Sequence, residues 1–228
     1  MGRRGPQPKN AINFRWRPNL AYAIGLLVTD GNVSKDGRHV IFVSKDIEQI
    51  NNFKKCLEIK PKLGKTFSGY NGKSTHRVQF GNIIFYNFLI SLGIMPVKSK
   101  TIGKIDIPNK FFFDFLRGCF DGDGCFYSYY DPRWRSSHMF YLTFSSASPK
   151  HILWLREEIH NYLFVKGHVS KSKRQGSIYN LRYAKREAME IIKKMYYNSN
   201  VVCLSRKRTK IKKALKVENK QQKVYLTK

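Results

Sequence analysis

Two nine-residue segments decide the fold of this chain: Ala23-Ile24-Gly25-Leu26-Leu27-Val28-Thr29-Asp30-Gly31 and Leu116-Arg117-Gly118-Cys119-Phe120-Asp121-Gly122-Asp123-Gly124. The second repeats the pattern of the first after 93 residues, so that a glycine and an acid recur at matching places. The first segment is apolar nearly all round, which predicts a buried helix with Pro18 in its opening turn. Because internal repeats mark duplicated structural units, we expect two related half-domains in one chain.

The glycine inside each predicted helix indicates how the two helices meet. Gly25 lies near the middle of the first helix, where glycine costs about 1 kcal/mol relative to alanine. A glycine is suitable there if another backbone approaches closely, and the natural neighbour is the twin helix at Gly118. Two helices that pack in this way about a pseudo-twofold axis bring their carboxyl ends together. Asp30 and Asp123 should therefore be neighbours.

Two neighbouring acids at helix carboxyl ends suggest a metal site. Each acid opposes the helix dipole, and the pair repels, so one carboxyl would hold a proton unless a cation intervened. Hard oxygen ligands suit Mg²⁺, and a metal-activated water that attacks a phosphodiester is the chemistry we expect. A calcium loop starting at Asp121 is excluded, because the EF-hand pattern needs Gly and Glu where this chain has Phe126 and Pro132.

The charge of the chain points to a polyanionic partner. There are 43 Lys and Arg against 15 Asp and Glu in 228 residues, a net charge of +28, which makes nucleic acid the leading partner. An anionic membrane surface is disfavoured, because the basic residues are spread through strand-like and loop-like segments instead of one amphipathic helix. The 42% hydrophobic content is sufficient for a core. The four cysteines form no C-x-x-C pair, so a structural zinc site is not expected.

The location of the protein is predicted from what the sequence lacks. No apolar run approaches the roughly 20 residues that a membrane span needs. Residues 1–10 do not contain the apolar stretch of a signal peptide. A cytoplasmic or organellar-matrix location is therefore expected, without secretion and without membrane association.

The residues after each repeated helix follow one plan, which predicts an α+β fold made of tandem αββαββα units with two antiparallel sheets. The remaining predicted helices cover residues 46–58, 82–92, 148–163 and 184–197, and the main predicted strands cover 38–44, 62–68, 75–80, 124–130, 139–145, 165–171 and 177–183. The predicted divisions are a basic arm at 1–17, a first half-domain at 18–95, a linker at 96–109, a second half-domain at 110–204, and a basic helix and tail at 205–228.

The two basic ends have separate predicted roles. The arm has five basic residues and no acid, and its Arg3-Arg4-Gly5-Pro6 stretch is predicted to be a disordered basic tail. The alternative is that Arg3 and Arg4 enter a minor groove. Residues 205–216 contain seven basic residues and no acid, which predicts a helix that binds backbone phosphates.

Both repeated segments resemble the LAGLIDADG motif of homing endonucleases, and the duplicated unit is similar to the single-chain members of that family. The resemblance covers about residues 20–213. The second motif is the stronger match, whereas the first has Val28 where the family often has an acid. The resemblance implies a monomeric, site-specific double-strand DNA endonuclease that makes a staggered cut at a long non-palindromic target. It also implies Mg²⁺ as cofactor, with Mn²⁺ substituting and Ca²⁺ binding without cleavage.

The resemblance assigns roles to particular residues. Asp30 and Asp123 are the essential metal ligands, and the backbone carbonyls of Thr29 and Gly122 are further contacts to the metals. Matching the family pattern around the metals places Lys45 and Lys98 near them, with Lys207 as the second-copy counterpart of Lys98. Arg206 competes with Lys207 through a one-residue shift. Ser148 is assigned as the counterpart of Lys45, and this inequality predicts that the two strands are cut with unequal efficiency.

The resemblance also implies that each sheet lies in a stretch of major groove, a groove that admits a two-stranded ribbon. Strand alternation then selects the side chains that face the DNA. The predicted DNA-contacting residues are Asn32, Ser34, Arg38, Arg77, Gln79, Tyr127, Tyr129, Thr143, Ser145, Lys171, Lys173, Asn180 and Arg182. The alternative function is a non-cleaving nucleic-acid binder on the same scaffold, either an intron RNA maturase or a DNA-binding regulator.

Overall fold

The computed structural model of the protein describes residues 12–67, 74–134, 137–172 and 178–226, with side chains described as far as residue 219. The first unit contains α1 (Pro18–Asp30), β1 (Gly31–Val33), β2 (His39–Ser44), α2 (Ile47–Leu57), β3 (Leu63–Phe67), β4 (Ser74–Gly81) and α3 (Ile83–Ser91). The second contains α4 (Phe112–Asp123), β5 (Cys125–Tyr130), β6 (His138–Ser146), α5 (Pro149–Leu163), β7 (His168–Lys171), β8 (Tyr179–Ala184) and α6 (Lys185–Met195), and α7 (Ser205–Leu226) follows it. The predicted tandem αββαββα fold is confirmed.

Local sequence signals set where the helices begin. Pro18 occupies the first turn of α1, where its missing N–H costs nothing. The side chain of Asp46 accepts a hydrogen bond from the backbone N–H of Glu48 at the start of α2. Ser148 plays the same part for α5, because its hydroxyl accepts from the backbone N–H of His151.

The two sheets share one topology. Each is a four-stranded antiparallel sheet, in the orders β1-β2-β4-β3 and β5-β6-β8-β7. One face of each sheet carries buried side chains, among them Phe42 and Val78 in the first sheet and Leu142 and Leu181 in the second. The other face is left for contacts outside the fold, as the period-two alternation of strands requires.

The close packing of α1 against α4 joins the two units. A Cβ added at Gly25 would lie 2.9 Å from the Cα of Gly118, and closer still to the carbonyl oxygen of Phe115. A Cβ at Gly118 would collide with the carbonyl oxygen of Tyr22, which is the residue equivalent to Phe115 in the repeat. These reciprocal contacts define a pseudo-twofold axis through the glycines, so both helices end on the same side of the crossing.

The structure defines the start of strand β7 and the position of part of the N-terminal arm. The strand predicted to start at residue 165 starts at His168, because Gly167 has a φ of +57° and interrupts the extended backbone. Residues 12–17 of the basic arm pack on the fold: Ile12 is 2% exposed, and Phe14 stacks on Phe88 with ring centroids 5.3 Å apart. Residues 1–11, including Arg3 and Arg4, lie outside the described residues.

The segments around the second unit are more than connections. Ile102 and Ile105 are buried, so the predicted linker is anchored to the fold at these two points, while most of its other residues are exposed. Helix α7 buries Ile211 and Ala214 and leaves lysines such as Lys212 exposed, so one face packs and another stays basic. Within the described part of the chain, no helix has the length and apolar character needed to cross a membrane.

The glycine crossing predicts a large and specific effect on stability. Gly118→Ala should lower the free energy of unfolding by about 1–3 kcal/mol, because the new methyl group must push two helix backbones apart. Gly103→Ala is the matched control, since a Cβ there would meet no atom within 4 Å. Urea unfolding followed by circular dichroism measures both variants. Equal stability of the two would contradict the close crossing.

Candidate metal centre and nucleic-acid interface

The two repeated acids lie together at the carboxyl ends of α1 and α4. Asp30 is half-buried, and Asp123 is exposed to solvent at the edge of a cleft. The cleft has a volume of about 370 Å³, and its lining includes Thr29, Lys98, Asp123, Ser145 and Asn180. Residues of both units and of the segment between them thus form one concave site.

The surroundings of the two acids disfavour two negative charges. Burial, and then the charge of Asp123, raise the pKa of Asp30 from 3.8 to about 7. The pKa of Asp123 is also raised, because protein atoms around the cleft displace water from a carboxyl that is otherwise open. The positive charges of Lys207 and Lys98 oppose both shifts but do not cancel them. A cation bound directly by the two carboxylates would lower both pKa values further.

Two buried lysines flank the acids in equivalent places. Lys98 is 5% exposed and donates to the carbonyl oxygen of Gly31 at 2.5 Å. Lys207 is 7% exposed and donates to the carbonyl oxygen of Gly124, the matching residue of the second motif, at 2.7 Å. Burial lowers the pKa of each ammonium group to about 8, although the nearby acids raise it.

The orientation of the two side chains shows that Lys207, and not Arg206, enters the site. Lys207 also donates to the carbonyl oxygens of Phe120 at 2.6 Å, Asp121 at 2.9 Å and Gly122 at 3.1 Å, so it caps the carboxyl end of α4. Arg206, one residue earlier on α7, turns the other way and pairs with Asp46 at 2.9 Å. Lys207 is therefore the structural counterpart of Lys98.

The predicted pairing of Lys45 with Ser148 is wrong. Ser148 is the N-cap of α5 and is therefore equivalent to Asp46, so the counterpart of Lys45 is Ala147. A second pair of contacts supports this alignment: Asp46 N–H donates to the Ser44 hydroxyl, and Ser148 N–H donates to the Ser146 hydroxyl. The longer hairpin loop of the second unit shifts the repeat spacing beyond this point.

The polar residue beside Asp30 is Gln49, which sequence reasoning missed. Its side-chain nitrogen donates to Asp30 at 3.3 Å, and its oxygen accepts from the Ser44 hydroxyl at 2.8 Å. Lys45 is exposed and is not among the groups that shift the pKa of either acid. The signal available in the sequence was the N-cap Asp46, which places Gln49 on the first turn of α2.

The counterpart of Gln49 in the second unit is His151. Its Nδ1 lies 2.8 Å from the carbonyl oxygen of Gly103, and because a carbonyl only accepts, Nδ1 carries the proton. Burial lowers the pKa of His151 to about 4, so the ring is neutral at physiological pH. His151 and Asp123 line one small cavity. The two halves of the site therefore differ in the group next to each acid.

A second residue missed from the sequence is Asp121, which occupies the place of Val28 in the second motif. Its carboxylate accepts from the Tyr22 hydroxyl at 2.8 Å and from the backbone N–H of Leu204 at 2.7 Å. Burial raises its pKa to about 6. Asp121 thus ties α1 to α4 and to the residue that precedes α7. This connection positions Lys207 over the end of α4.

The predicted backbone contacts at Thr29 and Gly122 face each other across the helix pair. A Cβ at Gly122 would collide with the Thr29 side chain, so glycine permits the helix ends to approach. The Thr29 hydroxyl donates to the carbonyl oxygen of Leu26 at 2.9 Å. The carbonyl oxygen of Gly122 already accepts a hydrogen bond from Lys207. The roles of Thr29 and Gly122 as metal contacts stay predictions.

The residues present suit a hard divalent cation bound jointly with an outside ligand. Two carboxylates supply oxygen donors whose mutual repulsion a cation would relieve. Among the described residues, no group of three His, Cys, Asp or Glu side chains gathers to hold a metal. The remaining ligands would be water, backbone carbonyls or a bound phosphate, which is the usual coordination of Mg²⁺.

Most of the predicted DNA-contacting residues lie on accessible parts of the outer sheet faces. Gln79, Arg182 and Lys171 are exposed, as are Asn32 and Arg38. Tyr127 and Tyr129 are also exposed, and the half-buried members are Ser34, Arg77, Ser145 and Asn180. Several are tied to each other, since Arg77 hydrogen-bonds to Gln79 and the Ser145 hydroxyl donates to Asn180 at 2.7 Å.

Two of the predicted contacts stand apart from this set. Thr143 lies on the outer face in register with Cys125 and Arg182, but it is only 7% exposed, so it offers little surface to a ligand. Lys173 lies outside the described residues. The roles of the remaining residues in binding stay predictions.

Comparison with solved structures identifies the architecture. The LAGLIDADG homing endonuclease I-LtrWI bound to target DNA aligns with a TM-score of 0.54 and 13% identity, over 92% of this chain and 91% of that chain. I-DmoI in complex with DNA and Mn aligns with a TM-score of 0.52 and 13% identity, over 79% and 97%. Full-length DUF199/WhiA from Thermatoga maritima aligns with a TM-score of 0.58 and 9% identity, and this chain spans 64% of its length while 92% of this chain is covered.

These matches show that the chain has the LAGLIDADG fold, as its two motifs predicted. The N-terminal domain of DUF199/WhiA is itself described as a LAGLIDADG domain, so the fold extends beyond proteins named as endonucleases. By sequence, the chain matches no protein-family model and no curated protein. At identities of 9–13% the comparison concerns fold alone.

The raised pKa values of the acids predict how stability depends on pH and metal. These carboxyl groups have higher pKa values in the folded than in the unfolded protein. Their contribution to the free energy of unfolding is therefore fully present below about pH 4 and is lost as pH rises through 7. Without metal, the contribution of Asp30 to the free energy of unfolding should fall by up to about 4 kcal/mol between pH 4 and 8, whereas the lowered pKa of His151 acts in the opposite direction below about pH 6.5. The contribution of Asp30 is therefore the difference between the natural chain and Asp30→Asn. Mg²⁺ should restore stability at pH 8 and have little effect at pH 5.

Thermal unfolding with and without Mg²⁺ measures this dependence. Asp30→Asn should flatten both the pH response and the Mg²⁺ response, because it removes one of the coupled charges. Asp106→Asn is the control, since that acid is exposed and belongs to the segment before α4. A Mg²⁺ response that survives in Asp30→Asn would contradict a cation site between the two acids.

Proposed function

We propose that this protein is a metal-dependent, site-specific double-strand DNA endonuclease. The observation that carries the proposal is the meeting of Asp30 and Asp123 at the paired helix ends, with two buried lysines whose charges act on both acids. Two such acids destabilise a protein unless they bind a cation, so their presence in both units favours a catalytic purpose. The likeness to I-LtrWI bound to target DNA and the net charge of +28 support duplex DNA as the substrate.

The groups around the acids divide the work of phosphodiester hydrolysis. Asp30 and Asp123 would hold divalent cations, which when bound lower the pKa of water and stabilise the leaving oxygen. Gln49 orients Asp30 through the 3.3 Å hydrogen bond and can also hold a water molecule. Lys98 and Lys207 place two positive charges on buried side chains close to the acids, where they can stabilise negative charge that develops on a phosphate.

The identity of the metal is part of the proposal. Mg²⁺ is the natural choice for two carboxylates and phosphate oxygens, and Mn²⁺ would be accepted at the same ligands. I-DmoI, which shares the fold, is described in complex with DNA and Mn. Ca²⁺ would support binding without cutting.

A single chain with two unlike halves would act as a monomer on a long non-palindromic target and make a staggered cut.

A non-cleaving DNA or RNA binder is the second candidate. It is raised by the shared fold of DUF199/WhiA, whose N-terminal LAGLIDADG domain is not described as an endonuclease, although DNA-bound homing endonucleases align with the same TM-score of 0.58. Retention of both acids argues against it, because a binder gains nothing from two charges that oppose each other at buried helix ends. Cleavage assays separate the two candidates directly.

The two-acid mechanism predicts complete loss of cutting from either neutral substitution. Selection of cleavable duplexes from a randomised library in Mg²⁺ should give one long motif. On that target, Asp30→Asn and Asp123→Asn should abolish cleavage and retain binding in Ca²⁺, because the amide keeps the shape and loses the charge. Asp106→Asn should cut normally. Cutting that persists in either of the two site variants would refute the mechanism.

The equivalent positions of the two lysines predict strand-selective defects. Lys98→Met and Lys207→Met should each slow one strand by about 10²-fold, the usual cost of removing a charged or hydrogen-bonding stabiliser. The products should be nicks in opposite strands, resolved by labelling each strand separately. Arg206→Met is the control, because that side chain points to Asp46. Equal slowing of both strands by each lysine variant would contradict the assignment.

A further inference from the structure

Three tyrosines form a continuous aromatic strip on the outer face of the second sheet. The rings of Tyr127 and Tyr141 are 5.3 Å apart between centroids and 24° from parallel. Tyr129 stacks with both, at 6.3 Å from Tyr127 and 6.4 Å from Tyr141. Tyr127 and Tyr129 are each 39% exposed, so the strip is accessible although its rings are held by one another.

Strand register places this strip away from the metal centre. Tyr127 pairs with Tyr141, and Tyr129 pairs with Met139. Strand β5 begins two residues after Asp123, so Tyr127 and Tyr129 lie about 13 and 20 Å along the strand from that acid. On a duplex that follows the sheet, this distance is about four to six base pairs. The strip would therefore face the outer part of one half of the target.

The strip has few open ring faces. Its rings cover each other, and the guanidinium group of Arg182 lies 5.8 Å from the centroid of Tyr141 on that ring's face. The neighbouring hydroxyl group of Tyr141 is the main cause of the raised pKa of Tyr129. Stacking with an extruded base needs an open face, so the strip offers mainly ring edges and apolar carbon.

The outer face of the first sheet is different in kind. There Asn32 and Gln79 flank Ile41 in register, and Arg77 is paired with Val43. Amides and guanidinium groups at these places suit hydrogen bonds with base edges. The major groove presents one apolar feature that distinguishes bases, the 5-methyl group of thymine. An apolar strip in the major groove would be complementary to this methyl group.

We propose that Tyr127, Tyr129 and Tyr141 form a thymine-reading surface that contacts 5-methyl groups in the outer part of the half-site bound by the second sheet. This inference rests on the proposed recognition of duplex DNA but not on its cleavage. A cross-strand aromatic cluster that only stabilises the sheet is the competing account.

Binding selection in Ca²⁺ followed by uracil replacement tests the inference. Randomised duplexes selected by the intact protein should carry thymines about four to six base pairs from the centre of one half-site. The half-site of the first sheet is recognised as the one that loses base preference in Arg77→Ala. Replacing each outer thymine of the other half by uracil removes only a methyl group and should weaken binding about fourfold per position.

Tyrosine variants separate the alternatives. Tyr141→Phe and Tyr127→Phe should keep the preference for thymine over uracil, because the ring makes the contact. Tyr127→Ala should bind thymine and uracil duplexes equally. If the alanine variant does not fold, the uracil measurement on the natural chain and the phenylalanine variants still decide the matter. Equal affinity of the natural chain for thymine and uracil, or no base preference at these positions, overturns the inference.

These results are independent of the nuclease proposal. Discrimination of thymine from uracil without any cutting in Mg²⁺ would support the reading surface and remove the endonuclease. Cutting without that discrimination would support the endonuclease and overturn the reading surface. Loss of affinity in the phenylalanine variants for thymine and uracil duplexes alike would instead indicate hydroxyl contacts with phosphate, and would also overturn the inference.

Discussion

The close crossing of α1 and α4 at Gly25 and Gly118 is the constraint on which the rest of the structure depends. Each glycine admits the backbone of the other helix, at a distance that a methyl group would prevent. The crossing aligns two independent units about one axis and makes their helix ends converge. Because each helix ends in an acid, a packing contact between backbones also determines the geometry of a chemical site.

The site that results is a balance of opposed buried charges. Two acids are held where each raises the free energy of ionising the other, and two lysines are held where burial lowers their pKa to about 8. Carbonyl oxygens at the carboxyl ends of the helices satisfy the lysines, which is why cations can be placed so close to the protein interior. The symmetry of the acids and lysines does not extend to Gln49 and His151, so the two halves have different chemistry beside equivalent charges.

Residues could be matched between the two units only as far as the repeat keeps a constant spacing. Up to the motif acids, the spacing of 93 residues aligns the two units, and predictions made from it hold for the glycines, the acids and the helix boundaries. Beyond the first hairpin, the longer second loop changes the spacing, and Lys45 was matched with Ser148 instead of Ala147. The N-caps Asp46 and Ser148 mark the correct alignment, because a cap must sit at a fixed place relative to its helix.

The sequence by itself determined the duplicated αββαββα plan, the apolar faces of its strands and the pairing of the two acids. These features depend on local periodicity and on a repeat whose spacing can be counted. Only the tertiary structure decided that Lys207 and not Arg206 enters the site, that Gln49 contacts Asp30, and that three tyrosines stack on one sheet face. Those outcomes depend on which way a side chain leaves its helix and on cross-strand register, and both are set by packing between segments that are distant in the chain.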